Sequence, residues 1–334
     1  MNDKSAARTS QRKNSVGKIV GRYSFITIFL IIFAVFLIIN HGATTWSGVM
    51  NILRHSTVLG ILALGMGIVI VTGGIDLSIG SMLALIGGLS VTLFNATNSP
   101  LLTFVAAIGI GLILGLINGL FVGFGGMPAF IVTLSTMLIY RSIAQYYLRS
   151  MGLSIYNMNG NLSSYDSFYD FGQLKIATVP VVGIVLVIVT IIMVYLMTMT
   201  KFGKSVYAIG SNVKAAHLAG INVPKTRVLV FAISGVLCAI GAFLWLSMNG
   251  SLDPATIGKS YEMYAIAAVV IGGISMSGGK GKLLGVLFGA MSYTIIDKII
   301  ASLGFDALIN DTIKGSILLV AVLAQIVVPA IRQK

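Results

Sequence analysis

The chain has 334 residues, of which 57% are hydrophobic and only 9% charged, with a formal net charge of +13 and a mean hydropathy of +0.98. A soluble domain carries roughly 25% charged residues, so this composition excludes a protein that covers itself with a water-facing surface. One cysteine, Cys238, excludes an intrachain disulfide and reads as a small packing residue in an apolar segment.

Met1–Arg22 is polar and basic, too long for the n-region of a secretory signal, and reads as a basic cytoplasmic tail (1–22). The run from Phe25 to Ile39 that follows stays as a membrane anchor. Window reading then gives about ten apolar segments, near 23–40, 56–73, 79–96, 101–123, 127–148, 177–198, 227–248, 262–274, 283–302 and 312–330. In hydrocarbon the backbone must satisfy itself, so such runs imply helices. The expectation is an all-α polytopic membrane protein of about ten transmembrane helices, a single transmembrane domain over 23–334. Two connections are long: polar Arg149–Ile176, and basic Thr200–Thr226, read as a cytoplasmic loop (200–226).

Basic residues cluster at Lys4 to Arg22, Lys201 to Arg227, Lys280 with Lys282, and Arg332 with Lys334. With alternating traversal all four groups fall on one face, the positive-inside pattern, which puts both termini in the cytoplasm. Charges that flank membrane segments rather than form one stripe argue against nucleic acid.

Two distant stretches nearly coincide. Val71–Gly80 reads VTGGIDLSIG and Val270–Gly279 reads VIGGISMSGG, a weak internal repeat. Broken helices repeated in two halves point to a transport pathway, so Gly73, Gly74, Asp76, Ser78, Gly272, Gly273 and Ser275 are the candidate helix-break or path residues. Chance similarity between glycine-rich packing segments is the alternative. Counting puts both stretches on the cytoplasmic side. Gly109 with Gly111, and Gly115 with Gly119, favour close helix contact.

Catalytic chemistry is hard to assemble. Gly278-Gly279-Lys280-Gly281 lacks the earlier glycine and the hydroxyl residue of a phosphate loop. His41, His55 and His217 are dispersed, so no metal site is expected. Four ionisable residues fall within apolar segments: Asp76, Arg141, Asp297 and Lys298. Charges at membrane depth are functional hypotheses by default. Asp76 suits a cap for a helix beginning near Ser78, and Arg141 and Lys298 suit snorkelling to an interface.

Within the basic loop, Asn212 suits an N-cap and Gly220 a left-handed helix stop, with about two turns between them. A helix that short must dock, on its own bundle or on a partner.

GIDLSIGSMLAL (Gly74–Leu85), FGKSVYAIGSNVKAAHLAGINV (Phe202–Val223) and YEMYAIAAVVIGGISMSGGKGKLLG (Tyr261–Gly285) resemble the signatures of permease subunits of bacterial monosaccharide ABC importers, with the ribose and methyl-galactoside permeases nearest. Tyr264 departs from that pattern, which carries an acid there. The resemblance implies a fold similar to vitamin B12-type importers, with ten helices per subunit and two subunits, expected to be identical, around a central path in the inner membrane. It implies that Asn212, Lys214, Ala215, Ala216 and Gly220 belong to a coupling helix against a cytoplasmic ATP-binding cassette protein. That partner would hold ATP and magnesium, with no cofactor in this chain. It further implies a periplasmic sugar-binding protein, which would dock on Arg149–Ile176 and Asn249–Ser260, and a non-catalytic permease working by alternating access. The rival is a self-sufficient secondary sugar carrier, which would need coupling-ion ligands near the midplane.

Overall fold

Long apolar runs bounded by hydroxyl, amide and glycine caps fold here as a bundle of helices. The computed structural model describes residues 24–41, 44–150, 156–157 and 162–304, with 309, 312–317, 319–320 and 322–323. The basic tail 1–22 and residues 318, 321 and 324–330 of the tenth predicted segment lie outside the described residues; its described residues are helical.

Helix α1 is Ser24–Ile39, and α2 is Trp46–Val71, entered through Thr45, whose Oγ1 accepts from Gly48 N at 3.1 Å. Then come α3 (Ile79–Thr97) and α4 (Pro100–Gly123). Ser99 caps α4 by accepting from Leu102 N, and Pro100 sits in the first turn, where its missing N–H is not needed. They are followed by α5 (Ala129–Ser150), α6 (Leu162–Gln173), α7 (Val181–Met199), α8 (Lys201–Ser211), α9 (Val213–Leu218), α10 (Val223–Asn249), α11 (Tyr261–Ile271) and α12 (Leu284–Ser302). Nine of the ten predicted segments are thus helical over most of their length.

Six of these helices are long and apolar enough to cross a membrane: α2, α3, α4, α7, α10 and α12. The apolar window of α2 is 89% buried, against 28% for α4, so α2 is the central pillar and α4 has a broad face that the described residues leave uncovered. The expectation of a full span at 262–274 is corrected. Helix α11 has 11 residues, ~16 Å at 1.5 Å per residue, about half of a ~30 Å hydrocarbon core.

Small residues set the closest approach. Gly111, Gly115 and Gly119 form one stripe on α4, and a Cβ at any of them would collide with α10 backbone at Gly235, Phe231 or Val228. Without a hydrophobic drive between helices in lipid, such backbone-to-backbone packing is what holds them. Gly109, expected in the same role, has nothing near it.

At one end of the bundle the polar connection folds together with the segment that follows α10. Strand β1 (Tyr156–Asn157) pairs antiparallel with β4 (Ser251–Leu252), and β2 (Lys175–Ile176) with β3 (Val179–Pro180). Phe168 of α6 inserts between Phe94 and Phe243, with ring centroids 5.6 and 4.8 Å away. Gln173 Nε2 donates to Met248 O at 2.9 Å. Residues 156–157 and 162–176 therefore form one joined surface with Asn249–Ser260.

Candidate functional site

The opposite end carries the basic loop. Thr200 breaks the chain between α7 and α8; its Oγ1 accepts from Gly203 N at 3.3 Å. Helix α8 buries Val206 and Ile209. Burial pushes the Tyr207 hydroxyl above its ordinary value, so it stays protonated and donates to Gly281 O at 2.9 Å. Asn212 then caps α9 as its residue type predicts, with Oδ1 accepting from Ala215 N at 3.0 Å. Gly220, at φ +79°, turns the chain out of α9, and Ile221 N returns to Ala216 O at 3.1 Å.

The six-residue helix docks on its own chain through one side chain. Ala216 is buried against Ile209 and Val223, with Ala208 and Ile221 beside it. This corrects the placing of Ala216 among residues that face a partner: its methyl group holds α9 to α8 and α10. Asn212, Lys214, Ala215 and Gly220 are exposed, and so is Leu218, at 87%. Leu218 is the outward feature that residue-type reasoning missed, because six residues are too few to display an amphipathic period.

The two glycine-rich stretches lie directly against this platform. Both are left-handed helix stops of the same design. Gly73 (φ +83°) donates to Ile70 O at 2.8 Å and Gly74 to Val69 O at 3.1 Å, ending α2. Gly273 (φ +82°) donates to Val270 O at 2.9 Å and Ile274 to Val269 O at 3.2 Å, ending α11. Equivalent residues are therefore Gly73 and Gly273, one position away from the letter-by-letter match, because backbone conformation and not side-chain identity sets the register. Gly272 plays a different part: a Cβ there would press on the Gly285 backbone of α12.

Gly279 N donates to Val71 O at 2.9 Å, so the stretches touch one another. Gly210 of α8 packs onto the same junction, where a Cβ would overlap Val71 O and crowd Gly279 N. A glycine inside a helix is unfavourable by ~1 kcal/mol relative to Ala, and its presence in α8 was the available signal for this contact. Ser275 makes a local turn, accepting from Ser277 N at 3.3 Å.

Between α2 and α3, Thr72–Ser78 turns back into the bundle without helical structure. Non-helical backbone at membrane depth is tolerated only where protein surrounds it. Thr133 Oγ1 donates to Ile75 O at 3.1 Å. Asp76 and Ser78 are fully buried. Asp76 Oδ1 accepts from Ser78 N (3.0 Å) and Ser78 Oγ (2.6 Å), and Oδ2 from Ser234 Oγ (3.1 Å). Asn118 Nδ2 donates to Ser78 Oγ at 2.8 Å. The carboxylate thus ties the entry of α3 to α4 and α10. It stands two residues before the cap residue Ser78 itself, a refinement of the expected capping position. Just beyond it, at the start of α3, Gly80 packs on Gly258, in the segment before α11, so closely that a Cβ has no room.

The other ionisable groups find partners within the chain. Arg141 Nη1 donates to Pro254 O and Ile257 O, both at 2.7 Å, clamping the segment before α11. Lys298 Nζ lies 3.1 Å from His55 Nδ1, and Asp297 pairs with Lys314 at 2.6 Å.

A model of the family described as "Branched-chain amino acid transport system / permease component" matches residues 48–323. The chain belongs to this permease family. Within it, the chain is 36% identical over 310 residues to the ribose import permease protein of Haemophilus influenzae, covering 91% of this chain and 94% of that one. It is 33% identical to the xylose transport system permease protein of the same organism (90% and 94% covered), and 32% to its galactose/methyl galactoside import permease protein (81% and 84%). No solved structure matches. The resemblance read from the three motifs is borne out, and family membership with six long apolar helices makes this a multi-pass membrane protein.

Proposed function

We propose that the chain is the membrane permease subunit of an ATP-driven importer that moves a monosaccharide of the ribose, xylose or galactose type across the inner membrane by alternating access. A separate ATP-binding cassette protein holds ATP and magnesium and energises it, and a periplasmic sugar-binding protein feeds it. Two copies of the chain form the path, each in a vitamin B12-type arrangement with both termini in the cytoplasm. The relatives named as ribose, xylose and galactose import permeases support the cargo class.

The observation that carries the reading is the continuous contact from α9 through Gly210 to the paired stops of α2 and α11. A push on the exposed face of α9 passes through the Ala216 contact to α8 and from there, by backbone contact at Gly210, to the end of the central pillar. ATP drives the switch only through its differential affinity for the two arrangements. Inverting a 1:99 population needs about 10⁴-fold tighter binding to one state, ~5.5 kcal/mol. The joined outer surface of α6, β1 and β4, with exposed Asp166 and Asp170, is the docking face for the binding protein in this reading.

The test is reconstitution of the chain with its ATPase and binding protein in proteoliposomes, with uptake and ATP hydrolysis measured against ribose, xylose and galactose. Uptake of one sugar that requires ATP is the expected result. Uptake at full rate without the ATPase would establish the secondary carrier instead.

A further inference from the structure

Helices α2, α11 and α12 leave between them a cavity of about 400 Å³, within the range of small-ligand sites. His55, Tyr261, Tyr264, Tyr293, Asp297 and Lys298 are among the groups that line it. His55 precedes Val71, where α2 meets the coupling platform, by sixteen residues, ~24 Å along the helix at 1.5 Å per residue. Tyr261 opens α11, and Lys298 stands four residues before the end of α12 at Ser302, ~6 Å along its axis. The cavity therefore lies close to the end of the bundle remote from α9.

Its charges do not balance. Asp297 is the carboxylate that lines it, and Lys314 pairs with that carboxylate at 2.6 Å. The Lys314 ammonium is held in place by the tyrosine wall as well, 4.7 Å from the Tyr264 ring and 5.6 Å from Tyr293. Taken together, that pair is neutral. Lys298 is left over. Its Nζ lies 3.1 Å from His55 Nδ1, and among the described residues no carboxylate forms an ion pair with it. An ammonium has only hydrogens to give, so Nδ1 accepts and the uncharged imidazole carries its proton on Nε2. Arg54, next to His55 on α2, is a second cation without a carboxylate among the described residues. Its Nη2 donates to the neutral amide of Gln173 at 2.5 Å, and its Nε is buried with no acceptor.

This imbalance decides the ligand class. Lys298 is half-buried, beside a wall of three tyrosine rings whose successive centroids are 6.0 and 5.2 Å apart. An unpaired charge in such surroundings is costly, and apolar walls strengthen its attraction for a counter-ion. Donors also outnumber acceptors. Lys298, Lys314 and the His55 Nε2–H stand against one carboxylate that is already engaged. A phosphate group accepts from several donors at once, and lysine serves it as a point charge. Basic pockets between membrane helices are sites where headgroup phosphates dock. We propose that this cavity binds a phosphate-type oxyanion, with Lys298 as its principal cation and Lys314 and His55 as further donors. The oxyanion is either the headgroup of an anionic lipid or free phosphate. The proposal goes beyond the importer reading and does not depend on it.

The experiment uses the full-length chain purified in a non-ionic detergent. Its unfolding temperature is followed as phosphatidylglycerol or inorganic phosphate is added, with phosphatidylcholine and sodium chloride as controls at matched lipid content and ionic strength. A ligand of the folded state raises that temperature with its concentration. At least one of the two anions should do so beyond its control. A response to phosphatidylglycerol alone assigns the site to a lipid headgroup, and a response to inorganic phosphate assigns it to a soluble oxyanion. Lys298→Gln should raise the half-saturating concentration about tenfold, the loss of one charge-assisted hydrogen bond. Lys298→Arg, which keeps the charge, should stay within about threefold, and Lys225→Gln, which removes a distant charge, should respond as wild type does. A second readout leaves the cations intact. Ala301→Cys, in the cavity lining, is labelled with a water-soluble thiol reagent while Cys238 stays buried, and the same anion should slow labelling where its control does not. The proposal is overturned if neither anion exceeds its control, if Lys298→Gln responds as wild type does, or if the stabilising anion leaves Ala301→Cys labelling unchanged.

Discussion

Replacing Gly210 with alanine separates backbone packing from helix propensity, because the two predict opposite signs. In an isolated helix the change would stabilise by up to ~1 kcal/mol. Here the new Cβ would overlap Val71 O and crowd Gly279 N, both backbone atoms of fixed elements. Over-packing of this kind costs ~1–3 kcal/mol. Relief requires α8 to move away, which strains the bond from Gly279 N to Val71 O, 2.9 Å long in the native junction. Leaving such a buried pair unmade adds ~1–3 kcal/mol. The net expectation is a loss of ~1–5 kcal/mol, with the platform detached from the two helix stops. The assay is paired: thermal unfolding of the purified permease, and sugar-stimulated ATP hydrolysis in the reconstituted complex. The unfolding temperature should fall, and hydrolysis should persist without sugar stimulation, since the outward face of α9 is untouched. An unfolding temperature equal to or above wild type, with normal stimulation, would refute the reasoning.

Three further outcomes are expected. Leu218→Asp should leave the unfolding temperature nearly unchanged, because the side chain is 87% exposed and surface changes stay within about 0.5 kcal/mol, yet it should abolish co-purification of the ATPase; retained co-purification would remove α9 from the contact. Gly73→Val and Gly273→Val should each reduce uptake by imposing a Cβ at φ +83° or +82°, a strain of ~1–2 kcal/mol, and Asn at the same positions should restore much of it because Asn tolerates that region; equal loss in Val and Asn variants would point to sterics instead. Asp76→Asn should keep substantial uptake, since an amide oxygen can still accept from Ser78, whereas Asp76→Leu strands the partners of both carboxylate oxygens at ~1–3 kcal/mol for each unsatisfied group; loss of uptake in the Asn variant at normal expression would make the carboxylate part of the path.

Hydropathy and capping residues were enough to find nearly every helix, because a bilayer forces each apolar run to satisfy its own backbone. Asn212 and Gly220 marked α9 to the residue, since a cap acts on its immediate neighbours and needs no distant partner. The two glycine-rich stretches announced themselves as paired breaks for the same local reason.

What those breaks do was decided only in three dimensions. The sequence treats Val71, Gly210 and Gly279 as unrelated, yet they form one junction, and only their separation in space makes the glycine at 210 obligatory. Letter matching also put the repeat one residue out of register, because the left-handed position is a property of the backbone and either glycine of a pair can occupy it. Ala216 looked like a docking residue and proved to be the anchor of its own helix, since inside and outside on a two-turn helix depend on what lies beneath it. Likewise 262–274 was counted as a span, but its helix runs only from Tyr261 to Ile271. Composition fixes that residues enter the membrane. Which of them face protein, lipid or cargo follows from contacts between segments far apart in the chain, and no local pattern carries that information.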